Sequence, residues 1–439
     1  MISSACSPLQ GTIRVPGDKS MSHRALMFGA LAEGETMISG LLEGEDVLNT
    51  ADAMRAMGAK IEKGNDGLWR CFGQGVGHLA EPTTVLDMGN SGTSTRLLMG
   101  IVASHPISAC FTGDASLLKR PMGRVTLPLE QMGASFITRA GGRPPLAVNG
   151  TGEARAITYR LPVASAQVKS AILLAGLNAS GTTTVIEPHK TRDHSENMLR
   201  HFGVTVEISE TEDGADAISI HGGQRLLGCA VDVPSDPSSA AFPVVAALIN
   251  PGSDIKLIRV GINPRRTGLY DTLIEMGAEI EYQSKTIDAG EPIANIVVKS
   301  TGPLKGVDVP ASRVPSMIDE FPILAMAAAC AEGTTRMTDL AELRVKESDR
   351  LLMVANGLKA CGVHLEMGED WLTIHGTGKP PKGGAIIETA LDHRIAMSFL
   401  ILGTVTKDPI SIDDGSPINT SFPGFVDVMA DLGARIQEK

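Results

Sequence analysis

The stretch TGLYDTLIEMGAEIEY, residues 267–282, carries the pattern that decides the fold. Apolar and polar side chains in residues 267–276 alternate with the period of an amphipathic helix. Gly277 follows, and glycine readily takes the left-handed backbone conformation that ends many helices. The next residues alternate in the manner of a strand. The stretch therefore predicts a helix that ends at a glycine and leads directly into a strand.

The same pattern recurs at intervals of 70 to 85 residues along the 439-residue chain. Five-residue motifs with glycine in second place, each followed by a strand pattern, stand at residues 57–61, 132–136, 202–206, 276–280, 361–365 and 432–436. Self-similarity at a regular spacing indicates a repeated structural unit. We therefore expect six copies of one unit.

Each unit also contains another helix pattern, which is more apolar and lies earlier in the unit than the helix of the glycine motif. These helices, rich in small and apolar residues and therefore expected to be buried, are predicted at residues 20–31, 93–103, 166–177, 238–249, 319–331 and 393–403. Short strand patterns precede them at residues 11–15, 84–88, 157–161, 230–233, 306–309 and 384–388. Each unit thus reads as a βαβαββ repeat. Sheets that cover buried helices in two three-repeat domains form an α/β (α+β) fold.

The last repeat differs from the other five. It stops at Lys439, directly after its glycine motif and strand, and lacks an exit strand such as the one predicted at residues 371–375. The N-terminal segment can supply that strand. We therefore predict one discontinuous domain of residues 1–17 and 231–439, and a second domain of residues 18–230.

Composition argues against several classes of protein. A formal net charge of −11 and an aromatic content of 3% oppose a nucleic-acid binder, which needs a cationic face and stacking surfaces. The six cysteines include no C-x-x-C pair, so neither a disulfide framework nor a thiolate zinc site is indicated. The apolar runs fall short of the roughly 18 residues of a membrane helix, and the N-terminus lacks a signal-peptide pattern. A cytoplasmic protein is expected.

Positive charges cluster at the predicted junctions between strands and helices. Helix N-termini present free N–H groups and the positive end of the helix dipole, so such junctions suit anions. Five cations fall at helix starts and two more lie on nearby loops: Lys19, Arg24, Lys346, Arg350 and Arg394, with Arg120 and Arg192. Arginine binds carboxylate and phosphate groups through paired hydrogen bonds. This number of cations in an acidic protein fits two small polyanions better than one.

Other side chains at these junctions allow more than one interpretation. Gly92 lies in a glycine-rich turn and would let the backbone approach a ligand. Ser165 and Gln167 offer hydrogen bonds suited to substrate hydroxyls. Asp319 directly precedes an apolar helix, where a carboxylate could either cap the helix or act as a general base.

The segment RVKESDR, residues 344–350, is expected to open a helix. Lys346 and Arg350 would then lie four residues apart on one helical face, where a bound anion would offset their mutual repulsion. Glu347 lies between them. As an alternative to anion binding, these charged residues would form stabilising pairs on an exposed helix. No metal site is expected, because His189 and His194 lack the spacing of zinc ligands.

Seven motifs together resemble the 5-enolpyruvylshikimate-3-phosphate synthase family. They are PGDKSMSHR (16–24), GNSGT (89–93), KRP (119–121), SAQVK (165–169), TRDHSE (191–196), RVKESDR (344–350) and LDHRIAM (391–397). The SAQVK and RDHSE segments are similar to the class II branch of that family. The resemblance spans nearly the whole chain.

The resemblance implies an inside-out α/β barrel of two domains that close over shikimate 3-phosphate and phosphoenolpyruvate. By this resemblance the residues that bind shikimate 3-phosphate are Lys19, Ser20, Arg24, Ser165, Gln167, Arg192, Asp319 and Lys346. Those that bind phosphoenolpyruvate are Lys19, Gly92, Arg120, Gln167, Arg350 and Arg394. Thr420 stands where some members have a further lysine, so no residue is assigned to that contact.

The resemblance also implies a mechanism and a setting. Asp319 would take the proton of the acceptor 5-hydroxyl while Lys19 or Glu347 protonates the methylene carbon, giving a tetrahedral intermediate that expels phosphate. The reaction needs neither a metal nor a cofactor, and it belongs to the shikimate pathway towards chorismate and the aromatic amino acids. A monomer with only small-molecule partners is expected.

Two alternatives lead to different expectations. Enolpyruvyl transfer to UDP-N-acetylglucosamine shares the fold and an aspartate at position 319, but that family usually has asparagine where Ser20 stands and a loop cysteine that Cys110 does not match. A non-catalytic nucleic-acid binder built from related repeats would need a basic, aromatic surface. Turnover with each acceptor separates the three possibilities.

Overall fold

The computed structural model describes residues 1–438, and in that range each repeat contains two helices. The first helix of each repeat is mostly buried, and these first helices are Lys19–Leu31, Gly92–Ala103, Ala166–Gly176, Pro237–Ile249, Phe321–Cys330 and His393–Gly403. The helix predicted at residues 319–331 begins later, at Phe321. Glu320 is its N-cap, and Pro322 fits its first turn because proline needs no backbone N–H partner there. Asp319 therefore lies in the turn before the helix.

The second helix of each repeat ends at the glycine motif, as predicted. These second helices are Glu45–Ala56, Gly123–Gln131, His194–His201, Gly268–Glu275, Arg350–Ala360 and Phe425–Asp431. The six motif glycines have φ values between 86° and 110°, which residues with a side chain rarely adopt. In residues 267–282 the helix Gly268–Glu275 passes through Gly277 into the strand Glu279–Asp288. The predicted pattern of a helix that ends at a glycine and leads into a strand is thus confirmed in all six repeats.

Each repeat has a four-stranded sheet in which the first two strands are parallel and the others antiparallel. In sheet order the strands are Ala230–Asp232, Glu35–Ser39, Trp69–Phe72 and Lys60–Lys63; Leu86–Asp87, Ser108–Thr112, Arg143–Asn149 and Ser135–Arg139; Thr158–Arg160, Thr182–Glu187, Asp216–His221 and Val206–Glu210; Gln10–Ile13, Asp254–Gly261, Glu291–Lys299 and Glu279–Asp288; Asp308–Val309, Glu332–Met337, Leu372–Thr377 and His364–Met367; and Ile386–Ile387, Ile410–Ile412, Ile2–Ser4 and Arg435–Gln437. Two short parallel pairs and four 3₁₀ turns complete the described secondary structure: Ala32–Glu33 with Leu226–Leu227, Ala154–Arg155 with Ala179–Ser180, and Leu117–Lys119, Ala311–Ser316, Ala341–Val345 and Ser416–Thr420.

Three of these sheets are completed by strands from distant parts of the chain. Ile2–Ser4 lies between Ile410–Ile412 and Arg435–Gln437 and supplies the strand that the sixth repeat lacks. Gln10–Ile13 pairs with the strand that begins at Asp254, and Ala230–Asp232 pairs with the strand that begins at Glu35. Both strands were predicted to belong to the repeats of the helices that follow them. They complete other sheets because the chain leaves one unit and enters the other directly after each strand.

The chain forms two compact units. The terminal unit contains residues 1–18, 234–287 and 292–439, and the central unit contains residues 19–233 and 288–291. The predicted boundaries were 17/18 and 230/231. The second boundary lies later because Ala230–Asp232 pairs within a sheet of the central unit. Within residues 1–438, no helix is both long and apolar enough to cross a bilayer.

Each unit has its own apolar core, built mainly from its first helices. In the terminal unit every residue of Pro237–Ile249 is buried, and in the central unit every residue of Lys19–Leu31 from Met21 onwards is buried. Full burial of one leucine-sized side chain contributes about 1.5–3 kcal/mol. The cores therefore hold the N-terminal ends of these helices, where the candidate residues lie, in fixed positions.

Candidate active site

Three predicted residues of the central unit stand at the starts of its first helices. Lys19 and Gly92 are the first residues of their helices, and Ser165 is the N-cap of Ala166–Gly176. The Ser165 hydroxyl accepts a hydrogen bond from the backbone N–H of Val168. Free N–H groups and the helix dipole make such helix starts suitable for anions.

Lys19 is held by a carboxylate that the sequence analysis did not single out. Its ammonium forms an ion pair with Asp46, which lies in the first turn of the second helix of the same repeat. Lys19 remains partly exposed, whereas Asp46 is almost fully buried. An acidic residue in a first helical turn is common because it complements the helix dipole, so the sequence around Asp46 gave no sign of this role.

Arg24 is buried and points towards two other helices of the central unit. Its Nε donates to Ser195 Oγ at 2.8 Å, and its Nη2 donates to Ser170 Oγ at 3.0 Å. Its Nη1 donates to the backbone oxygen of Ser20 at 2.9 Å. Ser20 and Arg24 thus share one helical face.

Gly92 lies against two guanidinium groups. A Cβ added at this position would stand 2.8 Å from Arg96 Nη1 and 3.0 Å from Arg120 Nη1. Arg120 in turn donates to Asn90 Oδ1 at 2.6 Å and to Ser116 Oγ at 3.1 Å. The missing side chain therefore allows two cations to approach the start of this helix closely.

Arg96, three positions after the GNSGT motif, is a further candidate residue for which no role was predicted. Its Nη1 donates to Gln167 Oε1 at 2.7 Å, and Gln167 Nε2 donates to Thr93 Oγ1 at 2.9 Å. The available signal was its spacing, because a residue four positions after Gly92 lies on the same helical face. The structure thus brings Gly92, Arg96, Arg120 and Gln167 together.

Arg192 lies in the loop between the strand Thr182–Glu187 and the helix His194–His201, and its side chain is half-buried. His194, the buried first residue of that helix, contacts Glu291 Oε1 through Nδ1 at 2.9 Å. No set of three His, Cys, Asp or Glu side chains within residues 1–438 is arranged to hold a metal ion.

In the terminal unit, Asp319 lies between two cations. Its Oδ1 is 3.2 Å from Lys346 Nζ and 3.1 Å from Arg350 Nη1. The expectation that Lys346 and Arg350 share a helical face was wrong, because the helix begins only at Arg350. Asp349 caps that helix by accepting from Leu352 N–H at 3.0 Å, so Lys346 keeps an extended backbone. The two cations meet at the Asp319 carboxylate instead.

Arg350 is fully buried among carboxylates. Its Nε and Nη2 contact Asp392 at 2.8 and 3.3 Å, and its Nη2 contacts Glu347 at 2.6 Å. Burial by itself lowers the pKa of Arg350, but Asp392, Glu347 and Asp319 together raise it above its usual value. For Asp392, burial favours the neutral form, yet the neighbouring Arg350 holds the pKa of its carboxyl below the usual range. Both groups therefore remain charged at neutral pH.

Asp392 also organises the start of the helix His393–Gly403. Its side chain accepts a hydrogen bond from the backbone N–H of Arg394 at 2.9 Å and one from Ser348 Oγ at 3.0 Å. This aspartate lies in the LDHRIAM motif, but no role was predicted for it. Arg394 Nη1 reaches the backbone oxygen of Asp319 at 3.0 Å and Glu320 Oε1 at 3.2 Å.

Solved structures share the fold of this chain. The solved enolpyruvyl transferase NikO from Streptomyces tendae aligns with a TM-score of 0.77 at 18% identity, covering 99% of this chain and 98% of that one. At this identity the likeness concerns the fold alone. The chain thus has the architecture of the enolpyruvyl transferases, with two units of the inside-out α/β barrel type and three βαβαββ repeats in each, as predicted.

More similar relatives identify the family. A family model described as EPSP synthase (3-phosphoshikimate 1-carboxyvinyltransferase) matches residues 4–429. The 3-phosphoshikimate 1-carboxyvinyltransferase of Paramagnetospirillum magneticum is 62% identical over 430 residues, covering 98% of this chain and 96% of that protein. The enzyme of Granulibacter bethesdensis is 61% identical over 423 residues, covering 96% and 93%. A solved EPSP synthase from Acinetobacter baumannii has a TM-score of 0.88 and 48% identity, covering 99% and 98%. The chain belongs to the EPSP synthase family.

Family membership confirms the activity that the motifs predicted. The chain is a transferase that moves the enolpyruvyl group of phosphoenolpyruvate to the 5-hydroxyl of shikimate 3-phosphate and releases phosphate. The reaction is a step of the shikimate pathway, which leads to chorismate and the aromatic amino acids. The relatives support this acceptor rather than UDP-N-acetylglucosamine, and an enzyme rather than a nucleic-acid binder.

Proposed function

We propose that the candidate residues at the helix starts and in the neighbouring loops and turns bind the two substrates, with Lys19 and Gln167 contacting both. Shikimate 3-phosphate is bound by Lys19, Ser20, Arg24, Ser165, Gln167, Arg192, Asp319 and Lys346. Phosphoenolpyruvate is bound by Lys19, Gly92, Arg120, Gln167, Arg350 and Arg394. The observation that carries this proposal is the position of the Asp319 carboxylate. Its Oδ1 lies 3.2 Å from Lys346 Nζ and 3.1 Å from Arg350 Nη1.

Asp319 is the general base of the proposed reaction. It takes the proton of the 5-hydroxyl as that oxygen bonds to the central carbon of phosphoenolpyruvate. Lys346 and Arg350 fix the orientation of the carboxylate through Oδ1. A base must lie within hydrogen-bond reach of the proton it removes, and this support keeps Asp319 in one position between turnovers.

The methylene carbon of phosphoenolpyruvate gains a proton in the same step, from Lys19 or Glu347. Addition of the acceptor oxygen and this proton gives a tetrahedral intermediate. Loss of a proton from the new methyl group and departure of phosphate then restore the vinyl double bond. Lys19 is placed by Asp46 and Glu347 by Arg350, so each candidate donor forms an ion pair within its own unit.

The arginines stabilise the anionic groups of phosphoenolpyruvate. Arg120 and Arg96 reach the start of the helix at Gly92, and Arg350 and Arg394 flank Asp319. Guanidinium groups form paired, charge-assisted hydrogen bonds with carboxylate and phosphate. Because their positions are fixed before the substrate binds, they stabilise developing charge with little reorganisation.

Turnover of Asp319→Ala tests the proposal. We expect kcat to fall by about 10²–10⁴-fold, the usual contribution of a general base, while both KM values change much less. Phosphate release from phosphoenolpyruvate would be followed with shikimate 3-phosphate and, separately, with UDP-N-acetylglucosamine as acceptor. An unchanged kcat would refute the role of Asp319, and turnover with the nucleotide sugar alone would refute the acceptor.

We also propose that the chain acts as a monomer in the cytoplasm. The composition supports this setting: six cysteines without close pairing suit a reducing compartment. The net charge of −11 favours solubility of separate chains. Light scattering of the purified enzyme should give a mass near 46.0 kDa, and a mass twice as large would refute the monomer.

A further inference from the structure

A fully buried ion cluster connects two helices of the central unit beside the candidate site. Lys169 Nζ lies 3.0 Å from Glu187 and 2.7 Å from Glu196. The side chains of all three residues are at most 1% exposed. One ammonium therefore serves two carboxylates in the interior, and none of the three residues was assigned a role above.

Such a cluster is costly and needs an explanation. Taking each charge out of water costs several kcal/mol, and a buried pair often stabilises a protein no better than apolar side chains of the same size. A lone lysine between two carboxylates is therefore weak evidence of a stabilising role. Its location gives a better explanation.

The cluster holds both ends of the loop that carries Arg192. At the first end, Glu187 ends its strand, and its Oε2 accepts from Thr191 Oγ1 at 2.8 Å and from Thr191 N–H at 3.3 Å. At the other end, Glu196 lies in the first turn of the helix His194–His201. The residues before and after Arg192 are thus tied to one ammonium group.

The lysine belongs to the helix that carries two other candidate residues. Lys169 lies in Ala166–Gly176, which contains Gln167 in its first turn and has Ser165 as its N-cap. The next residue, Ser170, contacts Ser195 Oγ at 2.7 Å, so the same two helices meet again beside the ion cluster. The relative position of these helices is therefore fixed by two adjacent polar contacts.

We propose that Lys169, together with Glu187 and Glu196, is a positioning residue that fixes Arg192 for the phosphate of shikimate 3-phosphate. This inference rests on the proposed role of Arg192 in binding that substrate. The same ion pair joins the segments SAQVK and TRDHSE. Their last residues, Lys169 and Glu196, form an ion pair in the interior.

Glu196→Gln is the main test, because it removes one charge and keeps the shape of the side chain. We expect KM for shikimate 3-phosphate to rise about tenfold, while kcat and KM for phosphoenolpyruvate stay within about twofold. Glu207→Gln is the matched control, since Glu207 is exposed on a strand of the same repeat. The control should leave all three constants unchanged.

Arg192→Ala separates this inference from the proposed function. If Arg192→Ala leaves KM for shikimate 3-phosphate unchanged, the proposed role of Arg192 fails. If it raises KM but Glu196→Gln does not, only the positioning role fails. In the Arg192→Ala background, Glu196→Gln should add less than about twofold, because residues that act as a unit are not additive.

Thr191→Val covers the case in which Glu196→Gln does not fold. It removes the hydroxyl that donates to Glu187 without changing any charge, and we expect about a threefold rise in KM for shikimate 3-phosphate. A purely structural role predicts something else. The melting temperature would fall while both KM values stay unchanged, and that result would overturn the proposal.

Discussion

Arg350 and Asp392 are joined by two hydrogen bonds in the interior of the terminal unit, from Nε at 2.8 Å and from Nη2 at 3.3 Å. The third guanidinium nitrogen, Nη1, reaches Asp319. Asp392 thus orients the arginine that in turn orients the proposed base. Because Asp392 also caps the helix at Arg394, one buried carboxylate supports two arginines of the candidate site.

Asp392→Asn should weaken the binding of phosphoenolpyruvate. The amide keeps the shape of the side chain but cannot accept two charge-assisted bonds, so we expect KM for phosphoenolpyruvate to rise by about tenfold or more, the size of one charged hydrogen bond. Steady-state kinetics with each substrate varied in turn measures this. An equal rise in KM for both substrates would instead indicate general loss of structure. Asp427→Asn, in a second helix of the same unit, is the control.

Gly92→Ala tests the close approach of two guanidinium groups to one helix start. The new methyl group would stand 2.8 and 3.0 Å from Arg96 and Arg120 nitrogens, so both side chains must shift. We expect KM for phosphoenolpyruvate to rise severalfold, since cations at a preorganised site lose their alignment. The measurement is KM alongside the melting temperature, which should change little.

Gly123→Ala provides the matched control for that prediction. Gly123 is also the first residue of a helix of the central unit, and a Cβ at this position meets no atom within 4 Å. Both substitutions make the same chemical change at the same helical position. If both variants raise KM for phosphoenolpyruvate equally, contact with the arginines is not the cause.

The buried side chain of His23 should make the folded enzyme less stable in mild acid than at neutral pH. Burial, followed by the nearby charges of Lys19 and Arg24, lowers the pKa of His23 well below its usual value. Below about pH 6.5 the unfolded chain therefore binds a proton at His23, whereas the folded protein binds this proton only at lower pH. Stability is fully present above that pH and falls as the pH decreases, by up to about 1.4 kcal/mol per pH unit for one such group.

Denaturant unfolding at pH 7.5 and pH 5.5 measures this effect. His23 Nδ1 lies 2.8 Å from Thr50 Oγ1, so His23→Gln keeps a polar partner while removing the titrating ring. The variant should lose less stability between the two pH values than the unmodified enzyme. Equal losses in both proteins would assign the acid sensitivity to other groups, such as the buried His105, whose pKa burial also lowers.

Local patterns in the sequence predicted the repeats and most candidate residues. The glycine motifs and the helix starts at Lys19 and Gly92 depend on neighbouring residues, so their backbone conformations could be predicted. The start of the helix at Arg350 was misplaced because Asp349 can cap a helix or lie within one, and only the fold decides between these.

Long-range partners could not be predicted in the same way. Asp46 and Asp392 hold Lys19 and Arg350 across separations of 27 and 42 residues. Acidic residues at helix starts are common, and nothing in the local sequence says which cation each one meets. The sheet partners of Gln10–Ile13 and Ala230–Asp232 could not be predicted for the same reason, since strand pairing is not local.

Arg266 should contribute strongly to the stability of the terminal unit. Only 2% of its side chain is exposed, and it contacts Asp18 at 3.1 Å and Asp236 at 3.3 Å. Burial tends to lower its pKa, but the surrounding carboxylates raise it. Arg266→Met would leave buried carboxylates without their cation, and we expect a loss of about 3–5 kcal/mol in the free energy of unfolding.

Urea unfolding of Arg266→Met and of Arg336→Met compares a buried with an exposed ion pair of the same unit. Arg336 contacts Asp308 at 3.3 Å, but both side chains are more than half exposed. Solvent screens such pairs, so Arg336→Met should cost no more than about 1 kcal/mol. If the loss of stability in Arg266→Met arises from uncompensated carboxylate charge, adding Asp18→Asn and Asp236→Asn should recover part of that stability. No recovery would show that packing of the arginine side chain, rather than its charge, stabilises this region.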